Sequence, residues 1–392
     1  MTDTAGARGF DPAQILNQLR PWMYAFWLDG NVTKQGITAD LEAMRDAGIG
    51  GFLFMDGSLG MPPGPYRFMS SAWQEQFRHM AAEACRLSLG INLNNGAGWA
   101  GSGGPWVSPE FASQVVVHSQ LTLQGPSRYD AVVPLPVGIR HGYYRDIAIL
   151  AYRLTGEAPG YRIKNFNSTK SFAGAMDFED VVPWPRFIPT SPEWPALAPE
   201  EMLDESTLQD LGPRLQAGRL RWNVPAGKWL ILRFGHTVSN GATRMTQPEA
   251  SGLETDKLSR AAVQRHFAAY VAKLAPLGAC RDGNVIVSTH IDSWEAGSGN
   301  WTAGFREEFR RRRGYDLLPY LATLAGFVVG SIERSERFLW DLRETVAELL
   351  LQNYAEEMSK LAHAQGMRLS IEGYDGTCDD LRYSGRADEP MG

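Results

Sequence analysis

The sequence predicts an α/β fold, an incomplete (β/α)8-type barrel with an inserted β-rich module after the third strand. Three observations lead to this fold class. Apolar strand-like runs alternate with amphipathic helical patterns over residues 21–112, short β-like runs replace them over residues 113–240, and the alternation resumes over residues 241–392. Strands that are separated by helices pair in parallel through right-handed crossovers, which is how an α/β barrel is built.

Composition and charge limit the classes of function. A chain of 392 residues with 44% apolar and 11% aromatic residues can form one large barrel or two domains. The formal charge of -6 and an isoelectric point near 5.7 argue against a nucleic-acid partner, which only a basic surface would attract. The longest apolar stretch, Leu321–Val329, is too short to span a bilayer. We therefore expect no nucleic-acid partner and no membrane partner.

The cysteines and the amino terminus bear on the compartment. Cys85, Cys280 and Cys378 are far apart and lack Cys-x-x-Cys spacing, which argues against a disulfide framework and a structural zinc site. Cys85 is expected to be a small buried apolar residue on a helix. Residues 1–20 form a lead-in whose start, Met1–Phe10, lacks the apolar core of a secretory signal. We expect a cytoplasmic protein, or a periplasmic or secreted one whose signal has been removed.

The first unit of the barrel, residues 21–112, shows strands and helices in strict alternation. A Gly follows its first helix as a stop signal, and Ser71 with Gln74 matches a capping box at the start of the second. The predicted elements are a strand at Trp22–Trp27, a helix at Thr38–Ala47, a strand at Gly51–Met55, a helix at Ser71–Leu89 and a strand at Ile91–Leu93.

The second unit, residues 113–240, breaks this rhythm. Its β-like runs are Val115–Leu123, Ala131–Leu135, Ile147–Arg153 and Trp229–Phe234, and the proline-dense tract Pro183–Pro199 is interpreted as an irregular connector. Barrel loops accept large insertions on the carboxyl face of the sheet. We therefore interpret the unit as an insertion that follows the third strand.

The third unit, residues 241–392, resumes the barrel pattern. Its predicted elements are a helix at Asp256–Leu274, a strand from Val285, helices at Ala303–Arg313, Leu317–Leu324 and Ile332–His363, and a strand at Arg368–Ile371. The chain thus supplies five parallel strands by this count. We expect the remaining strands to be unrecognised or to lie beyond Gly392.

The chemistry is predicted at the carboxyl end of the strand that starts at Val285. His290, Asp292, Trp294, Glu295 and Trp301 follow one another there. Barrels keep their catalytic groups at this end of the strands, and sugar hydrolysis needs one protonated carboxyl, one ionised carboxyl and flat apolar surfaces. In the alternative, structural interpretation the aspartate caps the next segment, the glutamate is solvated and the tryptophans are core residues.

Other strand ends add candidates on the same predicted face. Glycines beside Asn94 and Asn95 would let the backbone approach a ligand, while the asparagine amides can bond hydroxyl groups. Asp29 ends the first strand and Glu372 ends the fifth, so an acidic rim is expected, which could also hold a cation such as calcium. His290 is either a base, a donor to a sugar hydroxyl or a structural residue. The residues predicted to bind substrate are Asp29, Asn94, Asn95, Trp99, Trp106, His290, Trp294 and Trp301.

Four separated motifs carry a resemblance to a known family. They are Gly36–Met44, Asn94–Trp106, Gly252–Lys257 and Asp292–Glu295. In this order they resemble glycoside hydrolase family 106, the α-L-rhamnosidases, from about Pro21 to the last residue. The resemblance implies an α/β-barrel catalytic domain, removal of terminal α-linked L-rhamnose from plant glycans or glycosides with inversion, and a calcium ion near the sugar.

The resemblance also implies roles. Glu295 matches the catalytic glutamate of the Asp-x-x-Glu segment and is interpreted as general base, with Asp292 beside it; acid and base could be exchanged. Glu372 is the candidate in this chain for a partner or a metal ligand, although family members are longer and the second carboxylate is also expected beyond Gly392. Two alternatives remain open: a non-catalytic carbohydrate-binding fragment that uses its tryptophans, and a glycosidase of different sugar specificity.

Overall fold

The computed structural model describes residues 19–99, 101–164, 170–171, 194–281, 283–295, 297–374 and 376–391. The predicted lead-in lies outside these ranges except for Leu19 and Arg20, as does the predicted connector except for residues 194–199. The strands are β1 (Trp22–Leu28), β2 (Gly51–Gly57), β3 (Gly90–Asn94), β4 (Gln114–Val132), β5 (Arg145–Leu154), β6 (Gln209–Asp210), β7 (Leu215–Gln216), β8 (Arg219–Val238), β9 (Ala279–Cys280), β10 (Gly283–Asn284), β11 (Ile286–Ile291), β12 (Arg368–Glu372) and β13 (Glu389–Met391).

The α-helices are α1 (Lys34–Asp46), α2 (Ser71–Leu87), α3 (Arg260–Ala269), α4 (Val271–Leu274), α5 (Phe305–Arg313), α6 (Ile332–Leu350), α7 (Glu356–Ala364) and α8 (Asp380–Ser384). The predicted helix at Leu317–Leu324 is a 3-10 helix at Leu318–Ala325. The long helix predicted from Ile332 is interrupted by a π-helical turn at Leu351–Ala355, which separates α6 from α7. Ser70 rather than the predicted Ser71 caps α2, because its hydroxyl accepts a hydrogen bond from the Trp73 backbone N–H at 3.2 Å.

The main sheet has six parallel strands in the order β1-β2-β3-β11-β12-β13. The five strands predicted for the barrel are all present, and the count was one too low. β13 was missed because it has only three residues and contains Pro390, which lacks the N–H that a central strand would use. Within the described ranges, no ladder joins β1 to β13, so closure of a barrel is not observed.

One hydrogen bond shows that this sheet is strongly curled. The Tyr24 hydroxyl on β1 donates to Glu372 Oε1 on β12 at 2.6 Å. Four strand spacings separate these strands, which is roughly 19 Å in a flat sheet and beyond the combined reach of the two side chains. The sheet therefore bends towards a barrel, and the carboxyl ends of its strands surround a common space.

The inserted module is antiparallel. β4 and β8 pair along most of their lengths, and the sheet order is β4-β8-β5-β6, with β7 beside β8. One side of this sheet carries its own apolar cluster, centred on Ile149, Ile231 and the edge-to-face pair Trp222 and Trp229. Residues of its other side, including Leu150 and Phe234, belong to the core of the main sheet and its helices.

The expectation that the cysteines are unpaired was wrong. Cys85 on α2 is bonded to Cys280 on β9, with their Cα atoms 6.3 Å apart and a separation of 195 positions in sequence. Spacing rules could not find this pair, because only the packing of α2 beside β9 brings the residues together. Cys378 is free. No α-helix among the described residues is long and apolar enough to cross a membrane.

A buried carboxyl under the sheet makes stability depend on pH. Asp56, at the end of β2, is fully buried and accepts hydrogen bonds from Trp73 Nε1 and Gln247 Nε2. Burial raises the pKa of Asp56 to about 7, against the hydrogen bonds, which lower it. Between its ordinary pKa and the raised one, the unfolded chain releases this proton and the folded chain keeps it. The free energy of unfolding therefore falls as pH rises through this window.

We predict that Asp56→Asn removes this contribution. The free energy of unfolding of the variant minus that of the unchanged chain should increase by about 2 kcal/mol as the pH rises from 5 to 8. The unchanged chain loses stability over this range as Asp56 loses its proton, whereas the variant has no such proton. Urea denaturation at the two pH values measures the difference. Asp46→Asn, at an exposed position of α1, should show no such gain. A pH-independent difference between Asp56→Asn and the unchanged chain would contradict the prediction.

Candidate active site

The candidate site lies where β11 and β12 end. Their register pairs His290 with Ser370 and Ile291 with Ile371, so the next residues, Asp292 and Glu372, come to lie side by side. β3 on the other side of β11 pairs Asn94 with His290. Parallel strands thus bring residues that are 80 positions apart in sequence to one edge of the sheet.

His290 is completely buried and its ring is oriented by a neighbour. The Ser370 hydroxyl lies 2.8 Å from Nδ1 and also accepts a hydrogen bond from Asn92 Nδ2 at 2.7 Å. Nε2 lies 3.9 Å from Glu372 Oε1 and has no hydrogen-bond partner in the part of the chain that the structure describes. Burial lowers the pKa of His290 to about 4, although the charge of Glu372 acts in the opposite direction. The ring is therefore neutral near pH 7, with Nε2 facing the glutamate.

Asp292 is the buried carboxyl of this cluster. It is 5% exposed, and Oδ1 accepts a hydrogen bond from the Ser293 backbone N–H at 2.9 Å, while Oδ2 has no hydrogen-bond partner within the described ranges. Burial raises the pKa of Asp292 to about 7, and the charges of Glu372 and Glu295 raise it further against the hydrogen bonds from Ser293. Its environment thus disfavours the charged form.

Glu372 is held by two tyrosines that the sequence did not point to. Its Oε1 accepts from the Tyr24 hydroxyl and its Oε2 from the Tyr374 hydroxyl, both at 2.6 Å. The hydrogen bond to Glu372 and burial raise the pKa of Tyr374 to about 12. Tyr24 lies two positions from Phe26 on the same side of β1, so strand periodicity could have indicated the face but not the partner.

His290, Asp292 and Glu372 form a group that can hold a metal ion. One potential ligand atom from each residue lies within 4.8 Å of those of the other two. The histidine and the aspartate are buried and the glutamate side chain is 11% exposed. The predicted acidic rim is therefore partly a buried cluster, and its third donor is an imidazole.

Glu295 occupies a different environment from Asp292. It is partly exposed, and Ser293 Oγ donates to its Oε1 at 3.0 Å. A small cavity beside it is lined by Gly101, Lys257, Ile291, Asp292, Ser293, Trp294, Tyr354 and Tyr383. The Asp-x-x-Glu segment thus carries one buried and one accessible carboxyl.

A buried ion pair packs against the Asp292–Glu295 segment. Lys257 Nζ is bonded to Glu254 Oε1, and both side chains are almost completely buried. The ammonium group also lies 4.7 Å from the centre of the Trp294 ring. Sequence reasoning recognised these residues as part of a motif but did not assign them a contact with the Asp292–Glu295 segment.

Three stacked aromatic rings lie beside the cluster. Phe26 is stacked between Tyr24, at 5.6 Å between ring centres, and Trp99, at 6.0 Å. Phe26 is 44% exposed and Tyr24 39% exposed, so both rings present apolar surface beside the cluster. A side chain at Gly57 would come within 2.9 Å of the Trp99 ring, so glycine is needed there.

Three of the predicted tryptophans make their contacts inside the protein. Trp294 donates from Nε1 to Gly297 O at 2.9 Å, and Trp301 packs on Phe305 at 4.9 Å between ring centres; both are buried. Trp106, which is partly exposed, donates to His266 Nδ1 at 3.1 Å and stacks on Tyr270. These contacts match the alternative, structural interpretation of the tryptophans, while their predicted contact with substrate stays a prediction.

The predicted polar ligands are also engaged by the protein. The side-chain amides of Asn94 and Asn95 donate to Gly98 O and Gly101 O, which shapes the loop after β3. Asp29 accepts hydrogen bonds from the backbone N–H groups of residues 59 and 61 at 3.3 Å and 3.1 Å. All three are buried, and their predicted contact with substrate also stays a prediction.

Comparisons with known proteins identify the family of the chain and a similar fold. A family model described as alpha-L-rhamnosidase, glycoside hydrolase family 106, matches residues 14–392. A curated protein named "Putative beta-glucuronidase" from Formosa agariphila is 36% identical over 384 residues, which is 98% of this chain and 32% of that protein. The solved structure of a rhamnosidase from Novosphingobium sp. PP1Y has a similar fold, with a TM-score of 0.77, 23% identity, and coverage of 95% of this chain and 48% of that one.

The chain therefore spans about a third of the curated relative and about half of the solved rhamnosidase. The family match covers nearly every residue and includes all the motifs that carry the resemblance. This chain belongs to glycoside hydrolase family 106.

Proposed function

We propose that the chain forms part of an inverting glycosidase that removes terminal α-linked L-rhamnose from plant glycans or glycosides. The observation that carries the proposal is the accessible Glu295 at the carboxyl end of β11, next to a buried carboxyl. The exposed aromatic stack on the same side of the sheet supplies the apolar surface that a sugar ring needs. Family membership supports the reaction class.

Glu295 acts as the general base in this proposal. Ser293 Oγ fixes one carboxylate oxygen and the residue is open to solvent, so a water molecule can reach it. An inverting reaction then needs a carboxylic acid on the other face of the sugar, roughly 6.5–9.5 Å away. Both oxygens of Glu372 accept hydrogen bonds from tyrosine hydroxyls, so this residue is poorly suited to donate a proton. We assign the acid to the part of the longer relatives that has no counterpart in this chain.

The aromatic stack would bind the sugar. L-Rhamnose is a 6-deoxy sugar, so a methyl group and ring C–H groups give it an extended apolar face. Phe26 and Tyr24 offer exposed ring surface of matching character, and the Tyr24 hydroxyl links that surface to Glu372. Burial of apolar area on binding is favourable at roughly 25 cal/mol per Å².

The charge of the site favours a neutral sugar over a uronic acid, the substrate class in the name of the Formosa agariphila relative. The cluster and its neighbour supply three carboxyl groups, Asp292, Glu295 and Glu372. The buried cation near them, Lys257, is already paired with Glu254. In the metal-free site a substrate carboxylate would meet the charges of Glu372 and Glu295, which disfavours its binding.

Calcium, which the family resemblance implies, does not fit the metal-binding group. Calcium takes six to eight oxygen ligands. His290, Asp292 and Glu372 offer two carboxylates, and their third donor is a ring nitrogen. No step of the proposed reaction uses calcium at these residues. A calcium ion with other ligands stays a prediction of the resemblance.

We predict that Glu295→Gln lowers kcat on p-nitrophenyl α-L-rhamnoside by about 10²–10⁴-fold, because the amide cannot accept a proton from water. Release of p-nitrophenol should be measured in the 392-residue chain and in a chain extended by the residues that the relatives carry. Glu307→Gln, at an exposed position of α5, is the matched control and should leave kcat unchanged. Near-normal kcat in Glu295→Gln would overturn the assignment.

We predict that Phe26→Ala weakens binding of L-rhamnose about tenfold, because it removes the middle ring of the stack. Titration calorimetry measures this without any need for turnover. Leu381→Ala, which truncates an 86% exposed side chain on α8, should bind the sugar like the unchanged chain. Equal affinity in Phe26→Ala would exclude the stack as a sugar platform.

We predict that the extended chain prefers the α-L-rhamnoside over p-nitrophenyl β-D-glucuronide by at least about 100-fold in kcat/KM, since like charges oppose the uronate. Parallel assays with the two substrates test this. A preference for the glucuronide would replace rhamnose as the substrate but leave the role of Glu295 open to its own test. Rhamnose binding without turnover of either substrate would favour the carbohydrate-binding alternative.

A further inference from the structure

We propose that His290, Asp292 and Glu372 bind a transition-metal ion of the zinc class, and that this ion ties the curled sheet together behind Glu295. The inference concerns the metal and does not depend on which sugar the protein hydrolyses. It rests on the position and hydrogen bonding of the three side chains.

The ring nitrogen Nε2 of His290 is a buried polar atom that a metal ion could bind. His290 is 0% exposed, and among the described residues its Nε2 has no hydrogen-bond partner. Buried polar atoms in native proteins nearly always have one. The atom faces Glu372 Oε1 at 3.9 Å, which is too long for a hydrogen bond. A metal ion between His290 Nε2 and the Glu372 carboxylate would give the ring nitrogen a partner.

The second step is the spacing of the donors. The three ligand atoms lie within 4.8 Å of one another. Zinc binds nitrogen and carboxylate oxygen at about 2.0–2.2 Å, so two of its ligands can stand up to about 4.4 Å apart. Small side-chain adjustments would therefore bring all three atoms onto one ion. Asp292 Oδ2, which has no hydrogen-bond partner among the residues that the structure describes, is the oxygen available to the ion.

The third step is the outer hydrogen bonds. Metal-binding residues are usually fixed by a second set of contacts, and each of these three has one. Ser370 Oγ is hydrogen-bonded to His290 Nδ1. The Ser293 N–H donates to Asp292 Oδ1, and the Tyr24 hydroxyl donates to Glu372 Oε1.

The donor set selects the class of ion. An imidazole with two carboxylates is a ligand set that zinc and its neighbours accept, whereas calcium and magnesium prefer oxygen alone. At equal geometry, affinity for divalent ions rises from manganese towards zinc. We therefore expect zinc to bind more tightly than manganese and both to bind more tightly than calcium.

The ion would act by positioning. Its ligands lie on β12 and at the end of β11, and Glu372 is bonded to Tyr24 on β1. Binding would therefore fix Glu372, which joins β12 to β1 across the curl, and would also fix the start of the Asp292–Glu295 segment. Glu295 itself is three residues further on and is not a ligand.

The test uses the 392-residue chain without a polyhistidine tag, stripped with chelator. Titration calorimetry with zinc, manganese and calcium chlorides, each alone, should give one zinc site per chain, bound at least about 30-fold more tightly than calcium. Zinc should also raise the thermal midpoint, because it binds the folded chain. Calcium bound as tightly as zinc, or no zinc binding, would overturn the proposal.

Variants locate the site. Glu372→Gln keeps the shape of the side chain and should weaken zinc binding at least about tenfold, as should His290→Ala. His363→Ala removes an exposed histidine that pairs with Asp388 on the surface and should bind zinc normally. Circular dichroism checks that each variant is folded, and Glu372→Gln remains decisive if His290→Ala is not. Unchanged zinc affinity in Glu372→Gln would place the zinc elsewhere and overturn the proposal, whatever the rhamnosidase assays show.

Discussion

The hydrogen bond between Tyr24 and Glu372 depends on the curl of the six-stranded parallel sheet, and so does the position of the aromatic stack beside the acids. Right-handed crossovers orient all the strands alike, so their carboxyl ends meet at one edge. Curling then turns that edge into a rim, on which β1 and β12 face each other. A flat sheet with the same strands would leave the aromatic residues of β1 far from the acids of β11 and β12.

Register decides which side chains meet on this rim. β11 pairs with β12 so that His290 lies opposite Ser370, and Asp292 consequently follows beside Glu372. A shift by one residue would turn His290 away from the rim and bury a different set of atoms. The ladder thus fixes the acid cluster before any contact within the cluster is considered. This is why the unpartnered Nε2 of His290 is informative: the strand holds it in place although it lacks a partner.

The sequence was sufficient to predict five of the six parallel strands, and it placed the candidate site residues at their carboxyl ends. The β-branched run Val285–Val287 predicts a buried strand. Polar residues that follow such a strand lie at the carboxyl edge of the sheet. Contacts across the sheet could not be predicted, because they depend on curl and packing. Tyr24 and the Cys85–Cys280 bond are of this kind. Trp301 shows the same limit, since an aromatic residue near a site can equally be core.

Asp292 and Glu295 show how one short segment can supply two kinds of carboxyl. They are chemically alike, but Asp292 is packed against His290 and Glu372, whereas Glu295 is partly exposed and accepts a hydrogen bond from Ser293 Oγ. A group that reacts with water must be reached by water, while its position must be set by something rigid. The strand end and the buried cluster provide the rigidity, and the Lys257–Glu254 pair under Trp294 supports the segment from the other side. The buried Lys257–Glu254 pair thus lies where it can help to fix the orientation of the Glu295 carboxylate.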